Sequence, residues 1–210
     1  MKKKKWDIIK IPCPTNSEID KYLDIWNGDE KFYKPEKALI KLFNGCHANN
    51  KDKDDVLIKI YALNDSYDTF VLNQVRMAQH IANQNIDENL RADNLGLAIV
   101  DKIRKGHSIR NRYGTEINFY SFATKYCSFH KPDKYPLFDS NVERALKYFK
   151  KRHCSKLFTF NNTDLRVYEA FVGIIRKFQE IFGLQRFSLR DIDKYLYLVG
   201  RELNPPKKKS

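Results

Sequence analysis

Apolar side chains recur at spacings of three and four along nearly the whole chain, and no stretch alternates apolar with polar over the length of a strand. The pattern therefore predicts an all-α fold. Ser17–Trp26 carries Ile19, Tyr22, Leu23 and Trp26 on one stripe and ends at Gly28. Pro35 suits the first turn of a helix holding Leu39, Ile40, Leu42 and Phe43, closed by Asn44-Gly45. Asp52–Leu63 follows, then a longer amphipathic helix over Thr69–Asn83 with Val71, Leu72, Val75, Met77, Ala78 and Ile81 inward. Asp93–Lys105 is ended by Gly106, and a basic connection over 104–113 leads into an aromatic helix over Thr115–Phe129. Ser140–Lys151, Thr163–Phe182 and Ser188–Leu203 complete the set. The chain of 210 residues suits a single all-α domain over 11–203, with lobes dividing near 90/91 as the finer reading. Residues 1–10 and 204–210 read as basic arms.

With 42% hydrophobic and 13% aromatic residues the chain can bury a core, which excludes disorder throughout. Eight Gly and seven Pro are too few for a many-turned β-sandwich or a Gly-rich nucleotide fold. No apolar run is long enough to span a bilayer, and the basic start MKKKKWDIIKIPCP lacks a small-residue cleavage site. A cytoplasmic protein without membrane association is expected.

Charge changes the picture more. The net formal charge is +13, of which Lys2–Lys5 and Lys207–Lys209 supply seven, leaving +6 for the rest. A basic body favours a polyanionic partner, and solubility alone accounts for it equally well. The four cysteines, Cys13, Cys46, Cys127 and Cys154, form no close pair, so free thiols are the expectation. Cys127, His130, His153 and Cys154 have loosely metal-like spacing, but adjacent ligands such as His153 and Cys154 tend to point apart. No metal and no other cofactor is expected. His80 lies among Met77, Ala78 and Ile81 and reads as a structural histidine, whereas His107 and His130 flank the aromatic helix of the most informative segment.

That segment is Asn118–Leu146, NFYSFATKYCSFHKPDKYPLFDSNVERAL: an aromatic helix, a proline-bounded turn, a short extended YPLFD and a second helix. Ser140 and Glu143 have capping-box spacing, which would leave the Asp139 carboxylate outside the cap at the positive end of a helix. The plainer reading of the same spacing is that Asp139 is itself the cap and Ser140 opens the first turn. Phe119, Phe122, Tyr126 and Phe129 share one helical stripe, which reads as core or as the wall of a pocket.

Over about residues 94–150 this arrangement resembles the helix-hairpin-helix DNA glycosylase superfamily, in particular its divergent branch of 8-oxoguanine-glycosylase-like proteins. The stretch FSLRDIDKYLYLVGRE at 187–202 is similar to the closing helix of that branch. The resemblance implies base-excision repair chemistry, metal-free hydrolysis of the N-glycosidic bond of a flipped, modified base. Asp139 would be the carboxylate that activates water or steadies the growing sugar cation. Phe119, Phe122, Tyr126 and Phe129 would form the base pocket. Arg104, Lys105, Arg110, Arg112, Lys131, Lys134, Arg144, Lys147 and Lys151 would contact phosphates.

The departures also have meaning. The family's Gly-hydrophobic-Gly hairpin is absent, with only Gly114-Thr115 in its place, so a tight grip on duplex phosphates is not expected. No lysine stands at Asn118–Ser121, where lyase members carry their nucleophile. Lys125, fourteen residues before Asp139, is the nearest candidate assistant. No cysteine follows Cys154, which excludes an iron–sulfur cluster near the C-terminus. The reading is a monofunctional glycosylase-like monomer acting on DNA ahead of RNA. The alternative is a non-catalytic all-α nucleic-acid binder on the same scaffold.

Overall fold

A computed structural model describes residues 10–91, 97–106, 109–152 and 154–204. The fold is all-α, and among the described residues there is one isolated β-bridge, Arg110 to Glu116, and no strand. No described helix is long and apolar enough to cross a membrane. The chain divides into two compact units, Glu30–Tyr135 and a second made of Met1–Asp29 with Pro136–Ser210. The division falls at 29/30 and 135/136 instead of 90/91, because the N-terminal segment closes onto C-terminal helices.

That closure is built from α1 (Asn16–Gly28), α8 (Ser140–Arg152), α9 (Tyr168–Ile181) and α10 (Leu189–Glu202). The Thr15 side chain caps α1 by accepting from Glu18 N. Tyr22 of α1 meets Tyr195 of α10 edge-on at 5.1 Å, and Trp26 meets Tyr197 at 5.8 Å. Ser188 and Asp191 form a reciprocal capping box at the start of α10. Asp193 of the same helix accepts from Leu137 N at 2.8 Å, fixing the extended segment that leads into α8. Cys13 and Cys154, 141 residues apart with Cα atoms 5.5 Å from each other, are joined in a disulfide. This corrects the expectation of four free thiols: the long return of the chain, which no local spacing records, brings the pair together. Cys46 and Cys127 remain free.

α8 and α10 approach so closely at Gly200 that a Cβ there would lie 2.6 Å from the Asn141 Cα. The Gly200 carbonyl also accepts from Arg144 Nη1 at 2.9 Å. Backbone cannot yield as a flexible side chain would, so Gly200→Ala should cost about 1–3 kcal/mol. Urea unfolding followed by circular dichroism measures it, and an unchanged midpoint would refute the tight crossing.

The Glu30–Tyr135 unit contains α2 (Glu30–Lys41), a π-helical turn over Leu42–Cys46, and α3 (Lys53–Tyr67). It continues through α4 (Gln74–Ala82), α5 (Ile86–Arg91), α6 (Ala98–Arg104) and α7 (Tyr120–His130). Pro35 lies inside α2, not in its first turn. Two predicted helices start late. The loop before α4 is tied down by Asn64, whose side chain accepts from Val71 N and donates to Val71 O, and α4 begins only where Asn73 caps Arg76 N. Residues 109–117 form a tight hairpin instead of the first turns of α7. The Asn111 side chain there accepts from the amides of Tyr113 and Thr115, while Gly114 takes a positive φ of 77°.

Candidate nucleic-acid interface

The segment singled out by sequence splits at the unit boundary. Lys125 and the four aromatics lie in Glu30–Tyr135, and Asp139 lies in the other unit. Asp139 caps α8: its Oδ1 accepts from Asn141 N and Val142 N, both at 2.8 Å, and Ser140 is the first helical residue. The capping box with Ser140 as cap is therefore not formed. Glu143 is instead bound by Lys147 and Arg166, each at 2.6 Å. Oδ2 of Asp139 stays outside the cap, and the residue is partly exposed. Asp139→Ala should cost about 1 kcal/mol, and Asp139→Asn only a few tenths because asparagine caps as well. Equal melting temperatures for the alanine variant and the wild type would contradict the cap.

The base-pocket expectation is corrected by burial. Phe119, Phe122, Tyr126 and Phe129 are at most 4% exposed. Phe43 meets the rings of Tyr126 and Phe129 at 5.2 and 5.7 Å, and Tyr67 packs on Phe129 at 5.4 Å. These aromatics are the core of their unit, with no face left for a base. Lys125 is buried as well, donating to Ser121 Oγ at 2.6 Å with the Tyr67 ring 5.9 Å from its Nζ. It does not snorkel to solvent.

The same core contains a polar cluster that the sequence analysis missed. Asn50 Oδ1 accepts from Lys59 Nζ at 2.6 Å, Tyr126 Oη at 2.5 Å and His130 Nε2 at 3.1 Å. The Asn50 amide NH2 and backbone N–H both donate to the Asp87 carboxylate. Lys59 also donates to Asn49 O and lies 5.6 Å from the Phe43 and Tyr126 ring centroids. All five side chains are buried. Burial lowers the Lys59 ammonium to about 8, with the charges of Asp87 and Asp55 acting the other way. Burial, helped by the charges of Lys59 and Lys131, lowers His130 to about 3, so its imidazole is neutral. An amide oxygen only accepts, so the proton sits on Nε2. No single signal marks such a cluster in sequence, because its members come from a loop, α3, α5 and α7.

Among the described residues the metal-like spacing brings no ligand set together. Cys154 is bonded to Cys13, and the Cys127 thiol is fully buried and pushed up by desolvation. His130 is bound to Asn50, while His153 and His107 lie outside the described residues. Among the described residues no group of three or more His, Cys, Asp or Glu could hold a metal. His80 is structural, with Nε2 2.8 Å from Lys102 O.

The nine expected phosphate contacts are divided between the units, with Arg144, Lys147 and Lys151 in one and the remaining six in Glu30–Tyr135. Arg144 bonds to Asn141 and Gly200, Lys147 to Glu143, and Arg104 to Asp101 at 3.0 Å. Lys105, Lys131 and Lys151 are exposed, and Lys134 is partly buried over the Tyr135 ring. Arg110 and Arg112, however, border a groove of about 860 Å3 between the start of α4 and the 109–117 hairpin. Its apolar wall is Leu72, Val75, Ile109 and Ile117. Arg76, Arg110, Arg112 and Tyr113 also line it, and no acidic residue does. Leu72 is 79% exposed, Val75 66% and Tyr113 75%. The Arg112 guanidinium lies 4.7 Å from the Tyr113 ring centroid. The helical period had placed Leu72 and Val75 inward. α4 starts only at Gln74, so Leu72 precedes the helix and Val75 stands in its first turn.

A family model described as HI_0787_N, N-terminal domain, matches residues 18–134, a span that takes in nearly all of the grooved unit. A protein of Haemophilus influenzae described as an uncharacterized protein is 36% identical over 160 residues, covering 71% of this chain and 75% of its own length. No solved structure matches the chain.

Proposed function

The chain belongs to the HI_0787_N family, and for it we propose a nucleic-acid-binding function seated in the Glu30–Tyr135 unit. The observation that carries this reading is the convergence of Arg76, Arg110 and Arg112 on an acid-free groove. Arg110 has a weak, exposed ion pair with Glu116 at 3.5 Å, which a phosphate can displace at little cost. Guanidinium groups suit phosphate oxygens because they donate in a planar fork. The positive net charge adds long-range attraction. Such contacts are independent of sequence and sensitive to salt.

The direct test is fluorescence anisotropy with labelled DNA and RNA oligonucleotides, single-stranded and duplex. Three phosphate contacts on a single strand predict a slope of about −2 in log affinity against log salt, or a loss of roughly 20-fold from about 50 to about 200 mM. Binding that ignores salt, or none with any oligonucleotide, removes the proposal.

One observation favours a second reading, hydrolysis of an N-glycosidic bond by Asp139: its Oδ2 is not used by the cap. Under that reading Asp139→Asn keeps the fold and the binding but loses base release from oligonucleotides carrying damaged bases. Unchanged release by the variant would dismiss Asp139 as the catalytic carboxylate.

A further inference from the structure

We infer that the groove between α4 and the 109–117 hairpin takes single-stranded nucleic acid, with bases laid against its apolar wall and phosphates held at its arginine rim. The inference rests on the nucleic-acid reading above and goes further, since it names the strand state and the residues that select it.

The two sides of the groove make different demands on an occupant. Leu72 and Val75 are among the most exposed large apolar side chains of the described residues, and they face the same cavity as three arginines. Covering them is favourable only against an apolar surface. In a duplex the base faces are stacked on one another, so the surface presented is phosphate, sugar and polar base edges. A single strand offers unstacked base faces and phosphates together, and so matches both the wall and the rim. Tyr113 adds an exposed aromatic face on which a base can stack, already polarised on one side by Arg112.

The hairpin supports the same choice. Its turn is closed by Asn111, whose side chain accepts the Tyr113 and Thr115 amides, so these N–H groups are not offered to a phosphate. Gly114 is the single glycine of the turn and there is no second to form a backbone nest. Phosphate binding then falls to flexible side chains, which follow an irregular single strand better than they fix a rigid duplex. An acidic protein segment also complements three arginines, but a carboxylate-rich chain has no flat apolar faces for the Tyr113 ring and the Leu72–Val75 wall.

The experiment compares the intact wild-type chain with three variants on a labelled single strand and on the matching duplex, with melting temperatures recorded for each protein. The wild type should bind the single strand more tightly than the duplex. Tyr113→Ala should weaken single-strand binding roughly ten-fold and leave duplex binding unchanged. The pair Leu72→Ser with Val75→Ser should likewise weaken only the single strand. The pair Arg76→Gln with Arg112→Gln should reduce the single-strand salt slope by about 1.4. Arg110 is left intact because it donates to Gly114 O at 3.0 Å and so helps to hold the hairpin.

Tighter duplex binding overturns the inference, as does single-strand binding indifferent to the Tyr113 and Leu72/Val75 variants at unchanged melting temperature. Either result leaves the nucleic-acid reading standing. Failure of every oligonucleotide removes both, and capture of a Glu-rich peptide in their place assigns the groove to a protein partner.

Discussion

Replacing Asn50 by leucine should unfold the Glu30–Tyr135 unit at neutral pH. One amide oxygen there receives the donors of Lys59, Tyr126 and His130, and the amide nitrogen satisfies Asp87. Leucine has a similar volume but no polar atoms. Tyr126 and His130 would lose the acceptor described above, Lys59 would keep only Asn49 O, and Asp87 would keep only the residue 50 backbone amide. Each buried polar group without a partner costs about 1–3 kcal/mol, and each lost hydrogen bond to a charged group about 1.5–3 kcal/mol. The sum is comparable with the whole stability of a domain, about 5–15 kcal/mol. Asn50→Asp should be milder, because a carboxylate still accepts the three donors. It faces the Asp87 carboxylate, however, and loses the donor that Asn50 gives it, so part of the gain is cancelled by repulsion. Helical circular dichroism and urea titration distinguish the variants. A leucine variant with the wild-type midpoint would mean that the cluster contributes nothing to folding.

This cluster marks the limit of what could be read in the sequence. The all-α class was legible because most helices carry a wide apolar stripe, as in Ile19, Tyr22 and Trp26 of α1, and because strong caps such as Ser188 with Asp191 stand at their starts. Periodicity failed where a side chain intervened to stop a helix. Val71 is buried, as its spacing suggests, but Leu72 and Val75 are not, because Asn64 ties the loop to Val71 and α4 starts only at Gln74. Thr115–Phe119 failed in the same way, through the Asn111 turn.

The site was legible in part. Arg110 and Arg112 were singled out by charge and do line the groove. Asp139 was recognised, and local spacing left both capping schemes open; the structure adopts the one with Asp139 as cap. Partners distant in sequence were not legible. Cys13 with Cys154, and Lys59 with Asn50 and Asp87, depend on how the chain returns on itself, which spacing does not encode.

The second large effect is a pH profile with two slopes of the same sign, set by His130 and Lys59. His130 has a folded value of about 3 against 6.5 for the free group, so between these values the unfolded chain binds more protons than the folded one. Stability therefore rises with pH across that window and is lost as pH falls through it. The full difference is on the order of 5 kcal/mol, and the loss should begin near pH 6, where most carboxylates are still ionised. His130→Gln should flatten the pH 4.5–6.5 part of the curve, since glutamine keeps a donor for Asn50 without a titrating ring.

Lys59 acts at the other end. With a folded value of about 8 against 10.5, its neutral form is favoured by the fold, and stability should rise again above pH 8, by about 3 kcal/mol at most. Lys59→Met should abolish that rise. From about pH 9 the buried Cys127 thiol opposes it, because the unfolded chain releases that proton while the fold keeps it, and above pH 10 the buried phenols oppose it as well. Tyr126, Tyr135, Tyr22 and Tyr195 are all pushed upward by burial, so they stay protonated in the fold while the unfolded chain releases their protons, and stability falls. The maximum should therefore lie between about pH 8 and about pH 10. Urea midpoints measured from pH 4 to 11 test both slopes, and a wild-type curve that peaks near pH 6 would show that neither group is held as the structure places it.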